Sequence, residues 1–355
     1  MTNSTPLPDA RVSPPRVLVK EVNWLGDLII SLPALRALRR RFPASHLAVL
    51  IREELAGFFD GCEWIDEIIG YQRGGGMRSV ANQVRIVSAI RSHRFDLAIL
   101  FPNSFSSALW VALAGVPQRA GYATDARGPL LTSRATPDAA ASDGHQVNYW
   151  LEMVRKTVGA QGDPADCALT AAPTRRERMA AMLATRRTQP AARLIAIAPA
   201  AAFGPAKEWP PEQYASLIDL LTLRCHAECV LVGTPAERER CNRIVSLSRS
   251  SAIVTAGETG VGDLIALLSL CDGFVGNDSG PMHLAGALAI PTVAIFGSTN
   301  PARTGPLGPR VQVIYQPPPC SPCLDRACRF GHYECLKRIT PETVIAALAA
   351  HGLAA

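Results

Sequence analysis

Three stretches of the chain carry residues whose types and spacing could do chemistry. Residues 276–283 read GNDSGPMH, set between the apolar runs LLSLCDGFV and LAGALAIPTVAIFG. Gly280 frees the backbone and Pro281 suits a first helical position. The amides of Ser279 and Gly280 then open a helix, an arrangement that favours a phosphate, and His283 lies one turn along as a further donor. A single Asp among these residues makes a poor metal site and a good nucleotide-diphosphate site. Asp278 is then expected to avoid the phosphates and meet a sugar or ribose hydroxyl. The structural alternative is that Asp278 and Ser279 cap the helix and His283 is a core histidine.

The second stretch, PAAAFGPAKEWPPEQYASLIDLL (199–221), is a loop of Ala, Gly and Pro. Backbone can approach a ligand closely there, and Lys207 can supply a cation; otherwise it is an ordinary loop with a surface lysine. The third, NWLGDLIISLPALRALRRRFP (23–43), follows the first apolar run. Gly26 permits a tight turn, and Asp27 falls at the start of the next helix. Asp27 is either a helix cap and dipole partner or a general base at a strand's carboxyl end. One glycine stands where a dinucleotide fingerprint needs three, which argues against a nicotinamide cofactor.

A fourth cluster, CSPCLDRACRFGHYEC, spaces Cys320, Cys323, Cys328 and Cys335 as C-x2-C-x4-C-x6-C with His332 inside. Four thiolates so close could hold a structural zinc ion, though the spacing is permissive; free thiols are the alternative. The expected role is to pin the loop before the last helix. The other six cysteines, Cys62, Cys167, Cys225, Cys229, Cys241 and Cys271, sit among apolar residues and read as small core side chains.

The elements that must position these residues alternate regularly. RVLVKEV (16–22), HLAVLI, DLAILF, LIAIAP, ECVLVG, GFVGN and TVAIFG are short apolar runs bounded by turn formers. Amphipathic stretches lie between them at 78–94, 104–115, 146–158, 211–224, 236–248 and 261–270. This pattern predicts parallel strands covered by helices on both faces. It lapses between about 160 and 192 and restarts at Arg193. Two Rossmann-like doubly wound α/β domains are therefore expected, at 16–172 and 191–335, facing a central cleft. Residues 1–15 are expected to be a disordered tail, 173–190 a linker helix and 336–355 a C-terminal helix. Thr340 would cap that helix, with Pro341 in its first turn. Pro33 predicts either a kink or a second helix start.

Composition narrows the function classes. The 355 residues are 48% hydrophobic and 19% charged, which fits a packed protein rather than a disordered one. The net charge of +6, from 36 basic and 30 acidic side chains, is too small and scattered for a nucleic-acid protein. It suits an anionic small substrate or an anionic membrane surface. No apolar run approaches the length of a membrane span, and the opening MTNSTPLPDARVSPPR has no secretory core. A cytoplasmic protein with reduced thiols is expected.

Taken together, NWLGDLIISLPALRALRRRFP and GNDSGPMHLAGALAIPTVAIFGSTNPARTGP resemble the bacterial ADP-heptose:lipopolysaccharide heptosyltransferases of glycosyltransferase family nine. AAFGPAKEWP and CSPCLDRACRFGHYECLKRITPETV look like the lipopolysaccharide heptosyltransferase II subgroup, and the matching motifs run from about 16 to 345. The resemblance implies a GT-B fold with the acceptor domain first. It implies inverting transfer of L-glycero-D-manno-heptose from ADP-heptose to a heptose of the anionic lipopolysaccharide inner core, at or near the inner-membrane surface. It carries the catalytic Asp onto Asp27, the phosphate-binding lysine onto Lys207, and the donor motif onto Asp278, Ser279, Gly280 and His283. No metal is expected for transfer. Arg73, Arg78, Arg119 and Arg127 are expected to suit the anionic acceptor, with YQRGGGMRSV (71–80) as a loop over it. The alternatives are a family-nine transferase with another acceptor and a GT-B-like sugar-nucleotide epimerase.

Overall fold

The computed structural model describes residues 14–72 and 77–353, without the side chains of 77–79. The chain divides between Cys167 and Ala168 into two compact units. The first unit holds six strands: β1 (Arg16–Lys20), β2 (His46–Arg52), β3 (Glu67–Tyr71), β4 (Leu97–Leu100), β5 (Gln118–Tyr122) and β6 (Ser133–Ala135). They form one sheet in the order β3-β2-β1-β4-β5-β6, and every pairing is parallel. The second unit holds β7 (Arg193–Ala198), β8 (Ala227–Leu231), β9 (Ile253–Val254), β10 (Gly273–Asn277), β11 (Thr292–Phe296) and β12 (Val311–Tyr315). Its order, β12-β11-β10-β7-β8-β9, is the same winding repeated, again all parallel.

The central strands of each sheet are apolar because both faces are covered by helices. Val17, Leu18 and Val19 of β1, and Ile195, Ala196 and Ile197 of β7, are completely buried. The seven apolar runs read from the sequence all form strands. The remaining five, β3, β5, β6, β9 and β12, lie toward the sheet edges, where one flank faces less of the core.

Strand order reverses between β1 and β4 in the first unit, and between β7 and β10 in the second. At such a switch point the loops leave neighbouring strands in opposite directions and open space for a ligand at the carboxyl ends. The loops after β1, β7 and β10 are the three stretches from which the sequence argument began.

Three local expectations change. Pro33 neither breaks the first helix nor starts another, for Leu25–Arg41 is one continuous helix with Pro33 inside it. Gly26 lies in that helix's first turn and makes no tight turn. Of 173–190, expected as a linker helix, Pro173–Ala184 is helical but belongs to the second unit, where Arg175 and Arg178 both pair with Asp263. The last helix, Pro341–Ala349, starts as expected, with the Thr340 hydroxyl accepting from the Thr343 amide at 3.3 Å. Residues 1–13, most of the expected tail, lie outside the described residues.

Candidate active site

In the second unit the switch point gathers the predicted donor residues. Lys207 ends a short 3-10 turn (Pro205–Lys207) after β7, and Asp278 follows β10 directly. Because β7 and β10 pair side by side, the two loops meet, and Lys207 Nζ lies 2.6 Å from Asp278 Oδ2. The same carboxylate oxygen accepts from Thr299 Oγ1 at 2.5 Å, at the exit of β11. Asp278 is 5% exposed, so its charge is held by a cation and a hydroxyl rather than by water. Lys207 Nζ also lies over the Phe203 ring, 4.8 Å from its centroid. Phe203 of its own loop and Asp278 of the neighbouring one thus fix where the ammonium stands.

The loop itself is anchored from beneath. Asn277 is fully buried, and its Oδ1 accepts from the Trp209 amide at 3.0 Å and the Tyr214 hydroxyl at 2.9 Å. The buried Trp209 indole donates to the Ile339 carbonyl at 2.9 Å and packs edge-on against Tyr214. Arg240 donates to the carbonyls of Pro199 and Trp209 and pairs with Glu208. Gly204 has φ +137°, and a Cβ there would stand 2.5 Å from the Arg326 carbonyl oxygen. Only glycine allows that approach, through which the Ala206 amide reaches the same carbonyl at 3.1 Å.

Ser279 is the N-cap of the helix Gly280–Ala287, with Pro281 in its first turn. Its side chain makes no capping bond, and its buried Oγ has no hydrogen-bond partner among the described residues. A helix start whose cap hydroxyl is not spent on its own amides retains donors for an anion. His283, 4% exposed, is as buried as Asp278.

In the first unit Asp27 is the third residue of the helix Leu25–Arg41 and is partly buried. The N-cap is Trp24, so Asp27 does not cap the helix. It sits in the first turn, where the helix dipole favours a carboxylate, beside the β1/β4 switch point.

Residues 83–334 match the family model for glycosyltransferase family 9 (heptosyltransferase). The chain belongs to glycosyltransferase family 9. Lipopolysaccharide heptosyltransferase 2 of Salmonella typhimurium is 28% identical over 347 residues, 93% of this chain and 96% of that protein. The solved structure of E. coli ADP-heptose lps heptosyltransferase II matches with a TM-score of 0.80 at 26% identity, over 94% of this chain and 98% of that one. A family 9 glycosyltransferase from Veillonella parvula shares the fold, with a TM-score of 0.85 at 23% identity and 98% of each chain covered. The chain is thus a glycosyltransferase with the two-domain GT-B architecture of its structural neighbours.

Not every candidate of this family 9 chain fits its expected part. Arg127 is fully buried, and its guanidinium donates to the carbonyls of Tyr122 and Pro102 and to Asn103 Oδ1. Burial lowers its pKa to about 10, with Tyr149 and Asp125 opposing. Arg119 donates to the carbonyls of Leu130, Val116 and Pro117. Both arginines bind backbone oxygens of their own unit; Arg127, with no exposed surface, does not meet an acceptor directly, whereas Arg119 stays partly exposed. Arg73 and the side chain of Arg78 lie outside the described residues, as do 74–76 of the loop expected over the acceptor; of the rest, Tyr71 ends β3 and 77–80 open the helix Met77–Ser92.

The four clustered cysteines line one cavity of about 20 Å³ together with His332. His332 Nε2 is 3.9 Å from Cys320 Sγ, and Nδ1 is 4.0 Å from Cys328 Sγ. The Cys328 thiol is lowered by the Tyr333 amide first, then by those of Phe330, His332 and Gly331, against burial. Cys335 is pushed up to about 11 by burial and by the three neighbouring thiols. Among the described residues, however, no three His, Cys, Asp or Glu side chains are arranged to hold a metal ion. What the segment does is pin backbone. Arg326 holds the Lys207 loop, the Leu324 amide reaches the Ser298 carbonyl at 2.9 Å, and the Ser321 hydroxyl reaches that of Gly297 at 2.6 Å.

One feature of the first unit went unread in the sequence. β1 ends in the buried Lys20, and the equally buried Glu21 opens the loop toward Asp27. The signal was present as two charges closing an apolar run.

Proposed function

We propose that this chain transfers a heptose from ADP-heptose to a heptose of the lipopolysaccharide inner core, with inversion at the anomeric carbon. The observation that carries the reading is the Lys207–Asp278 pair at the β7/β10 switch point, beside a helix start that keeps donors for a diphosphate. The names of the relatives supply the sugar and the acceptor class.

In this reading Asp27 takes the proton of the acceptor hydroxyl. The hydroxyl oxygen forms a bond to the anomeric carbon as the bond from that carbon to the diphosphate oxygen breaks, and ADP leaves. Lys207 and the amides of Ser279 and Gly280 stabilise the charge that grows on the leaving diphosphate, so they act more on the transition state than on the ground state. Asp278 is assigned to holding Lys207 in place, in contrast to the sugar contact expected from sequence. His283 is retained as a donor-site residue on the strength of the motif alone. Among the described residues no helix is long and apolar enough to cross a membrane. A basic protein acting peripherally on a glycolipid at the cytoplasmic face fits the acceptor.

The test is transfer from ADP-heptose to a mono-heptosylated inner-core acceptor by wild type and Asp27→Asn, with donor binding measured alongside. Wild-type transfer, with the variant binding donor normally and turning over about 10²–10⁴-fold more slowly, is the expected result. A variant as fast as wild type refutes the base. A wild type that binds ADP-heptose and transfers to no heptosylated acceptor refutes the acceptor.

A further inference from the structure

Lys20 and Glu21 are each 1% exposed, and the transfer reading uses neither. Lysine and glutamate are almost never fully buried unless something holds them, so the contacts of this couple are informative. Lys20 Nζ donates to the Glu21 carbonyl, lies 3.4 Å from Asn23 Oδ1, and stands 4.9 Å from the centroid of the Tyr71 ring. The Tyr71 hydroxyl, from β3, donates to the same Asn23 oxygen at 2.8 Å. Glu21 Oε2 accepts from the Val22 amide at 3.0 Å and from the Ser31 hydroxyl at 3.2 Å. Ser31 belongs to the helix that carries Asp27.

The loop 21–24 is therefore tied at both of its ends. Lys20 fixes it to β3 through Asn23 and Tyr71, while Glu21 fixes it to the second turn of the Asp27 helix. We propose that Lys20 and Glu21 are positioning residues for the transfer, a buried charge couple that sets the placement of the loop and first helical turn bearing Asp27. The proposal rests on the reading of Asp27 as the base.

The couple also titrates in the working range. Burial lowers Lys20 to about 7, with Glu21 opposing and Arg52, from β2, adding to the fall. Burial raises Glu21 to about 7, against the Val22 amide, Lys20 and Ser31. Tyr71 is the titratable group that β3 brings to Lys20, and β4, LAIL, is apolar throughout. Lys20 thus loses its charge as pH rises through about 7, and Glu21 loses its own as pH falls through about 7.

The experiment compares the full-length wild type, Lys20→Met, the double variant Lys20→Met/Glu21→Gln and Asp27→Asn. It measures kcat, the KM for ADP-heptose and the pH dependence of kcat between about 6 and 8.5, with circular dichroism as the check on folding. The double variant leaves no lone buried charge, and Gln keeps an oxygen for Val22 and Ser31, so it serves if Lys20→Met does not fold. Expected is a fall in kcat of about 10²-fold, the scale on which small misplacements act. The KM for ADP-heptose stays unchanged, and the alkaline limb of the wild-type profile near pH 7 disappears. Wild-type kcat and pH profile in the Lys20 variants, with Asp27→Asn inactive, overturn the couple and leave the base standing. An Asp27→Asn protein as active as wild type overturns the base and the couple with it.

Discussion

Replacing Asn277 by Ala tests how the donor loop is held. The Asn277 Oδ1 atom is the acceptor for two buried donors, the Trp209 amide at 3.0 Å and the Tyr214 hydroxyl at 2.9 Å. Asn277, Trp209 and Tyr214 are all completely buried, so water cannot replace the lost oxygen. A buried donor left unsatisfied costs about 1–3 kcal/mol, so the two together cost about 2–6 kcal/mol. In a domain of this size each kcal/mol moves Tm by about 2–4 °C, which gives a fall of at least about 4 °C. Trp209 is two residues from Lys207, so the KM for ADP-heptose should rise as well. Asn277→Asp, which keeps an accepting oxygen in place, should destabilise less than Ala. Thermal unfolding followed by circular dichroism, with donor KM on the same preparations, reads all three quantities. A Tm for Asn277→Ala within about 1 °C of wild type would show that those donors find other partners, and the anchoring argument would fail.

Two further substitutions probe stability elsewhere in the second unit. Gly286→Ala ought to stabilise by helix propensity, by about 1 kcal/mol. Its Cβ, however, would stand 2.4 Å from the Leu307 carbonyl oxygen and 3.2 Å from Val311, so a loss of about 1–3 kcal/mol is expected. The sign of the shift in urea midpoint decides between them. For Glu228, burial favours the protonated form, but Arg187, the Thr188 hydroxyl and amide and the Gln189 amide outweigh it and bring the carboxyl down to about 2. A carboxyl depressed on folding contributes full stability above its ordinary value of 4.5, lost as pH falls through about 2. Acid unfolding of Glu228→Gln should therefore be less steep than wild type across that window, and identical slopes would refute the assignment.

What could be read from sequence follows from how each element is stabilised. The strands buried on both faces, such as DLAILF and TVAIFG, must be continuous apolar runs, so they announced themselves. QRAGY and EIIGY are strands through their backbone pairing with β4 and β2; the first is short of apolar side chains and the second is partly exposed, so neither carries a continuous apolar signal. The donor motif was legible as residue types, yet the Lys207–Asp278 bond was not. The two residues are far apart in the chain and meet only because the strand order reverses between β7 and β10. Arg127 misled for a physical reason. Arginine is usually solvated, and nothing in TDARGP announces that the positive-φ residues Asp125 and Ala126 turn the chain so that the guanidinium ends on carbonyls of its own unit.

The same topology explains why charge is buried at the switch point of each sheet. Where neighbouring strands send their loops opposite ways, no single helix covers the strand ends, and apolar side chains cannot fill the space without forfeiting a binding site. Polar groups can occupy it only if each is paired. In the second unit Lys207 is held by Asp278, and Asp278 by Thr299 as well. In the first, Lys20 and Glu21 divide the task between Asn23 and Ser31. The two solutions differ in exposure, and the difference matches their parts. Lys207 keeps some access to solvent, as a cation that must meet a diphosphate requires, whereas Lys20 has almost none. A ligand can use the first lysine directly, but it can feel the second only through the loop that lysine holds.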